Sequence, residues 1–292
     1  MNFTEEAFVF SAGGEELLGV IAKPEIPQDC GVLIVVGGPQ YRVGSHRQFL
    51  LLSRRLASEG YPSMRFDYRG MGDSGGAMRD FDNVADDIEA ATAVFQQTCS
   101  SARRVVLWGL CDAASAALLY VQATGDSRIA GLVLLNPWVR SEASLAQTHI
   151  KHYYGQRLLQ REFWVKLLSG KMRLLESARG LLSNALKARE SGVGAKSEFR
   201  SFQDRMADGL RHFPGKVLLI LSGQDYTAKE FLEYAGANGA WAGLLSTDGM
   251  SRVDIPDADH TFSSQTQRSS VENATLDWLG KLNSSRPLNS RE

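Results

Sequence analysis

Cys111, Asp225 and His260 are the residues of this 292-residue chain whose types and surroundings fit covalent chemistry. Cys111 follows Arg104-Val105-Val106-Leu107-Trp108-Gly109-Leu110, an apolar run of strand type. It precedes Asp112 and a helix of small residues that reads from Ala113 to Ala123. A residue at the apex of so sharp a strand-to-helix turn is held in a strained conformation at the C-terminal edge of a parallel sheet. Small neighbours, here Gly109 and Ala113, let strand and helix approach closely. Free cysteines are also common as small buried apolar residues. The strand before Cys111 and the helix after it favour the chemical reading, a nucleophile elbow built on a thiol.

A thiol nucleophile needs a base to take its proton, and the base needs an acid to orient it. His260 lies in Asp257-Ala258-Asp259-His260-Thr261-Phe262, between a weak strand pattern at Arg252–Ile255 and a final helical pattern at about Val271–Leu282. That is a loop at the same sheet edge as the elbow. His46, His149, His152 and His212 lie in helical or connecting contexts without a strand end. Asp225 follows the apolar run Val217–Leu221 through Ser222-Gly223-Gln224, again at a strand C-terminus. The chain order nucleophile, acid, base is one known arrangement of such triads. Asp257 and Asp259 are nearer to His260 in sequence but read as turn-forming acids.

The elements that must position these groups are legible as an alternation. Glu6–Ser11 and Glu15–Ala22 flank Gly13-Gly14 as a hairpin. Val32–Val36, Tyr61–Asp67, the elbow strand, Ile129–Leu135 and Val217–Leu221 read as strands. Helical patterns at about His46–Ser58 and Asn83–Gln97 separate the earlier ones. Strands alternating with helices imply a mostly parallel central sheet with helices on both faces. Between about Val139 and Phe213 the pattern is helical throughout. The expected organisation is therefore a core of residues 1–138 and 214–292 with an inserted helical cap at 139–213. That insertion holds fourteen Lys and Arg against seven Asp and Glu, an excess of seven positive charges, so the rest of the −1 chain is eight negative.

An attacked carbonyl oxygen needs N–H donors where its negative charge develops. The backbone N–H of Asp112, just after the nucleophile, is one expected donor. The second should come from the loop after Val32–Val36, where Pro39 has no N–H. Gly38 is the preferred donor and Gln40 the alternative if the turn rotates. The Asp112 side chain reads as a helix-dipole partner in the first turn, with tuning of Cys111 or substrate contact as the sharper alternative. The turn from Asp67 to Gly76 reads as structural, with its glycines supplying positive φ and Asp73 and Ser74 bonding the backbone. Gln40 and Arg42, on the loop after the first buried strand, and Trp138, Arg140 and Arg157, at the start of the insertion, are the candidate substrate-binding residues.

Composition narrows the partners. A net charge of −1 gives no global attraction to nucleic acid or to an anionic membrane, and no apolar run is long enough to span a bilayer. Three cysteines (Cys30, Cys99, Cys111) and an N-terminus without the basic and apolar regions of a signal peptide lead to an expectation of free thiols in the cytoplasm. No clustered His and carboxylate ligands suggest a metal, and no organic cofactor is implied.

Phe66-Asp67-Tyr68-Arg69-Gly70-Met71-Gly72-Asp73-Ser74 resembles the D-x-R-G-x-G-x-S turn of the α/β-hydrolase superfamily, and Ala258-Asp259-His260-Thr261-Phe262 resembles its histidine loop. The resemblance covers nearly the whole chain and implies an α/β-hydrolase fold. Three segments are similar to the type 1 hydrolases encoded beside exosortase A systems in exopolysaccharide-producing bacteria. They are Gly37-Gly38-Pro39-Gln40-Tyr41-Arg42-Val43-Gly44-Ser45-His46, Gly109–Ser115 and Asn136-Pro137-Trp138-Val139-Arg140. Cys for Ser departs from most superfamily members, though enzymes similar to dienelactone hydrolase use Cys on this scaffold. The leading expectation is a hydrolase of ester, thioester or related acyl bonds acting through a Cys111 acyl-enzyme. Its substrate would be a small acyl molecule, anionic or sugar-linked. The alternatives are acyl transfer to a sugar or other acceptor, and a non-catalytic binding protein that keeps the fold.

Overall fold

Alternating side chains and a Gly-Gly turn build the first hairpin: β1 (Phe3–Ala12) and β2 (Glu15–Pro24) pair antiparallel across Gly13 and Gly14, both at positive φ. In the computed structural model, residues 2–38, 40–140 and 200–284 are described. Beyond the hairpin, the short apolar runs become strands buried on both faces. These are β3 (Cys30–Val35), β4 (Ser63–Phe66), β5 (Arg104–Leu110), β6 (Ile129–Leu135) and β7 (Lys216–Ser222), followed by the more exposed β8 (Met250–Ile255).

Among the described residues these eight strands form one sheet in the order β1-β2-β4-β3-β5-β6-β7-β8. The pairs from β4–β3 through β7–β8 are parallel, while β2 meets β4 antiparallel. This is the mostly parallel α/β sheet that the alternation implied, with an antiparallel edge.

Helices cover both faces. Along β3, Leu33 and Val35 join one apolar cluster, and Val32 and Ile34 join another. The first cluster takes in α2 (Ala85–Thr98), α3 (Asp112–Thr124), α4 (Phe202–His212) and α5 (Tyr226–Ala237). The second takes in α1 (Gln48–Ser58) and α6 (Gln265–Ser284). Parallel pairing aligns the strand ends: Leu110 faces Leu135, Leu135 faces Ile220, and Ser222 faces Ile255. The residues immediately after β3, β5, β6, β7 and β8 therefore emerge at one edge of the sheet.

The chain divides into two units, Met1–Val139 with Phe202–Glu292, and Arg140–Ser201. The expected insertion thus falls mostly outside the described residues, but its last segment does not. Residues Phe202–His212 are a core helix packed on α3, so the core resumes at Phe202 and not after Phe213. Phe202 meets Phe81 edge-on at 5.3 Å, and Gln203 Nε2 donates to the Val139 carbonyl at 3.0 Å. The approach of α4 to α3 depends on Gly209, where an added Cβ would stand 2.4 Å from the Leu118 carbonyl oxygen and 2.9 Å from Gln122 Cβ.

Gly→Ala in an unobstructed helix interior gains about 1 kcal/mol. Here a backbone carbonyl blocks the methyl, and overpacking of this kind costs about 1–3 kcal/mol. Gly209→Ala is therefore expected to lower the urea midpoint of unfolding. A higher midpoint would show that α4 is not held this closely.

Candidate active site

Cys111 is the turn between β5 and α3, at φ 62° and ψ −123°. A side-chain-bearing residue held there costs of order 1–3 kcal/mol, so the surroundings must fix it. They do so through the backbone. The Cys111 N–H donates to the Leu135 carbonyl at 2.8 Å, and its own carbonyl accepts from the N–H groups of Ala114, Ser115 and Trp138. At Gly109 an added Cβ would come within 2.6 Å of the Ala113 backbone. The small flanking residues are thus required by contact. Ser115 Oγ donates to the Trp138 carbonyl at 2.7 Å, so the segment after β6 is tied twice to the elbow.

Asp225 and His260 come together. His260 Nδ1 lies 2.8 Å from Asp225 Oδ2, with Asp225 buried and His260 half-buried. Asp225 is also the N-cap of α5. Its Oδ1 accepts from the Thr227 N–H at 3.0 Å and its Oδ2 from the Ala228 N–H at 3.3 Å, which fixes the carboxylate before it meets the imidazole. The His260 pKa is pushed up to about 10, first by the hydrogen bond to Asp225 and next by one to Cys111, against the opposing effect of burial. With Nδ1 on Asp225, Nε2 is the nitrogen left for Cys111.

The other acids and histidines are placed elsewhere. Asp259 accepts from the Thr261 and Ser263 N–H groups at 3.0 and 3.2 Å as a turn acid, and Asp257 is exposed. His46 is exposed, at φ 53°. His212 is on the surface of α4, with Nδ1 at 3.0 Å from the Asp208 carbonyl. His149 and His152 lie outside the described residues.

Sequence reasoning missed the brace behind the histidine loop. Asn136, fully buried and at φ 44°, follows β6. Its Nδ2 donates to Ser222 Oγ at 2.8 Å and to the His260 carbonyl at 3.3 Å, and its Oδ1 accepts from the Ser222 N–H at 2.9 Å. Ser222 Oγ in turn donates to the Asp259 carbonyl at 2.9 Å. One amide therefore joins the ends of β6 and β7 to the loop that carries the base. The available signal was Asn immediately after a buried strand, since Asn is enriched at positive φ.

One of the two expected oxyanion donors is already engaged. Gly38, at φ 59°, has its N–H donated to Asp112 Oδ2 at 2.7 Å, so it is occupied by a side chain and not free for an acyl oxygen. The Asp112 side chain does lie in the first turn of α3 as expected, but it also reaches across to the loop after β3. Burial raises its pKa, against the N–H groups of Gly38, Ala113 and Asp112 itself and the charge of His260.

Arg42 is engaged by the turn after β4. Its guanidinium pairs with Asp67 at 2.5 Å and with Asp73 at 2.7 Å, and its backbone N–H donates to Asp67 Oδ1. Together with Ser74 Oγ, which donates to the Asp67 carbonyl at 2.6 Å, Arg42 locks the turn after β4. Gln40 serves its own loop, its Oε1 accepting from the Ser45 N–H at 3.1 Å. Trp138 is half-buried beside the elbow, Arg140 begins the second unit, and Arg157 lies outside the described residues. Among the described residues no group of three or more His, Cys, Asp or Glu is gathered to hold a metal ion. None of their helices is long and apolar enough to cross a membrane.

A mostly parallel sheet, a thiol elbow and an Asp–His pair at adjoining strand ends define an α/β protein with a hydrolase-type site. The chain belongs to the alpha/beta hydrolase family, whose model matches residues 32–270. Among solved structures it is similar to the Pyrococcus furiosus esterase Pf2001, at 15% identity over 96% of this chain and 91% of that one with a TM-score of 0.64. A thermophilic esterase from Thermogutta terrifontis matches at 19% identity over 95% and 99%, with a TM-score of 0.57. The alpha/beta hydrolase GrgF from Penicillium sp. sh18 matches at 14% over 96% and 99%, with a TM-score of 0.61. At these identities the likeness is one of fold. No curated protein matches the chain.

Two measurements probe the geometry. A histidine whose folded pKa, about 10, stands above its ordinary 6.5 contributes stability that is complete below 6.5 and is lost as pH rises through 10. Urea midpoints should therefore decline between those pH values more steeply in the wild type than in His260→Gln; parallel curves would contradict the raised pKa. Asn136→Ala leaves the buried Ser222 N–H unpaired, at a cost of about 1–3 kcal/mol. It should also return the His260 titration, followed by NMR, toward 6.5. Loss of stability with an unmoved titration would make Asn136 structural only.

Proposed function

We propose that the protein is an esterase-type hydrolase that cleaves an ester or thioester through Cys111. The observation that carries this is the 2.8 Å contact of His260 Nδ1 with a fixed Asp225, next to a thiol at a strained elbow. In the reaction, the Cys111 sulfur, with its proton already held on His260 Nε2 in a thiolate–imidazolium pair, attacks the acyl carbon. The tetrahedral intermediate collapses as the C–O or C–S bond to the leaving group breaks, and His260 returns the proton to that group. Water, deprotonated by the now neutral His260, then attacks the thioester at Cys111 and releases the acid and the thiol. Asp225 keeps Nδ1 protonated and stabilises the imidazolium.

The esterase neighbours support the acyl class. The similarity of three segments to exosortase-system hydrolases supports a link to exopolysaccharide and exosortase systems. The positive excess of residues 140–201, twelve Lys and Arg against five Asp and Glu, supports an anionic or sugar-linked acyl group. Three free thiols suit a reducing compartment such as the cytoplasm. A second reading, a binding protein without turnover, is favoured by one observation: the Gly38 N–H is already taken by Asp112.

The test is a panel of neutral and anionic p-nitrophenyl esters and acyl thioesters, with mass spectrometry for an acyl adduct. Burial pushes the Cys30 thiol up to about 12 and raises that of Cys99, so iodoacetamide should label Cys111 at least about tenfold faster than either. Cys111→Ala should abolish turnover. Asp225→Asn should reduce kcat roughly 10- to 1,000-fold, less than the ~10⁴ typical of a serine triad, because a thiol depends less on its base. Anionic members should be preferred, and the preference should weaken with salt. Equal labelling of the three cysteines, or turnover that survives Cys111→Ala, would refute the proposal.

A further inference from the structure

The site that an acyl oxygen would occupy is filled by the protein itself. An elbow enzyme receives that oxygen on two backbone N–H groups, one from the residue after the nucleophile and one from the loop after an earlier strand. Here these are Asp112 and Gly38, and the Gly38 N–H already donates to Asp112 Oδ2 at 2.7 Å. The other carboxyl oxygen, Oδ1, is buried without a hydrogen-bond partner. An added Cβ at Gly37 would stand 2.0 Å from Oδ1 and 2.8 Å from the Ala113 nitrogen. The loop after β3 thus makes room for this carboxyl only because residue 37 is glycine.

A group with one oxygen unpaired in a buried position is not held at its optimum, and turning outward would restore that oxygen's hydrogen bonds. Burial raises the Asp112 pKa, and the charge of Asp112 in turn helps raise that of the buried Tyr68 facing it from the loop after β4. An oxyanion forming beside this carboxylate would compete for the same N–H and be repelled by it.

We propose that the Asp112 side chain occupies the acyl-oxygen site at rest and must turn away from Gly38 before Cys111 can be acylated. Asp112 is then a specificity residue: a substrate reacts well only if its binding displaces the carboxyl, and the thiol is shielded from indiscriminate acylation. The inference rests on Cys111 being the nucleophile.

The experiment compares two reactions of Cys111 in the full chain. With p-nitrophenyl acetate, the Cys111 sulfur, its proton held on His260, forms a C–S bond, the ester C–O bond breaks and p-nitrophenolate leaves; negative charge builds on the acyl oxygen. With iodoacetamide, the sulfur displaces iodide at a saturated carbon, and no oxyanion forms. Both rates scale with the thiolate fraction, so the ratio of acylation to alkylation isolates the oxygen site.

Asp112→Ala and Asp112→Ser keep the residue 112 N–H but are too short to reach Gly38. In each folded variant the ratio should rise about tenfold or more, with the 10²–10³ attributed to a single oxyanion donor as the upper bound. Either variant suffices if the other fails to fold. An unchanged or lower ratio with alkylation intact would overturn the inference and make Asp112 a brace for the Gly37-Gly38 loop. Failure of Cys111 to alkylate in the wild type would overturn the nucleophile reading, and this inference with it.

Discussion

The backbone of Cys111, at φ 62° and ψ −123°, is the constraint on which the rest of the site depends. A cysteine does not hold that conformation by its own preference. It is fixed because β5 ends beside β6, whose Leu135 carbonyl takes the Cys111 N–H, and because Gly109, Ala113 and Ala114 let α3 start directly above the strand. The parallel register sets where β6 ends, so sheet order and elbow geometry are one constraint. The same register delivers Asn136, Asp225 and His260 to that edge. A shift of any strand by one residue would turn its side chains to the opposite face and separate the groups.

Precision at the second half of the site comes from polar contacts with little exposure. Asp225 is held by two N–H groups of α5 before it holds His260, and Asn136 with Ser222 ties the histidine loop to the ends of β6 and β7. Each buried donor in this set has an acceptor, and that is what makes the arrangement affordable, because an unpaired buried polar atom costs about 1–3 kcal/mol. The base is therefore positioned by the core and not by a loop acting alone.

The strands and the pairing of Asp225 with His260 were legible because both leave local signals: short apolar runs, and acids or histidines just beyond them. The order of β3 and β4, and the antiparallel meeting of β2 with β4, leave none, because nothing local states which strands become neighbours. Phe202–His212 reads as a helix but does not announce its partner, and its placement in the core follows from Gly209 fitting under the Leu118 carbonyl. The partners of Arg42 were hidden for a related reason. An arginine on a loop near the expected pocket resembles a substrate ligand until the fold brings Asp67 and Asp73 to it. Spacing points to the loop that holds Gly38, but the Asp112 side-chain conformation that engages the Gly38 N–H is invisible to it.

The electrostatics of the site give that conformation its weight. His260 is the group whose positive charge serves Asp225, Cys111 and Asp112 together, and its pKa of about 10 is what an imidazole among acids should show. Two like charges about 4 Å apart in a medium of effective dielectric 20 repel by about 4 kcal/mol. Two carboxylates and the one negative charge that moves from the Cys111 sulfur to the acyl oxygen, around a single imidazolium, would thus place more negative charge at this edge than one cation can balance. Asp225 cannot leave, being the N-cap of α5, and Cys111 carries the bond being made. Asp112 is the one member that neither caps a helix through its side chain nor takes part in the bond being made, and its tie to the loop after β3 is the Gly38 N–H, so relief of the excess charge falls on it, by neutralisation or by departure.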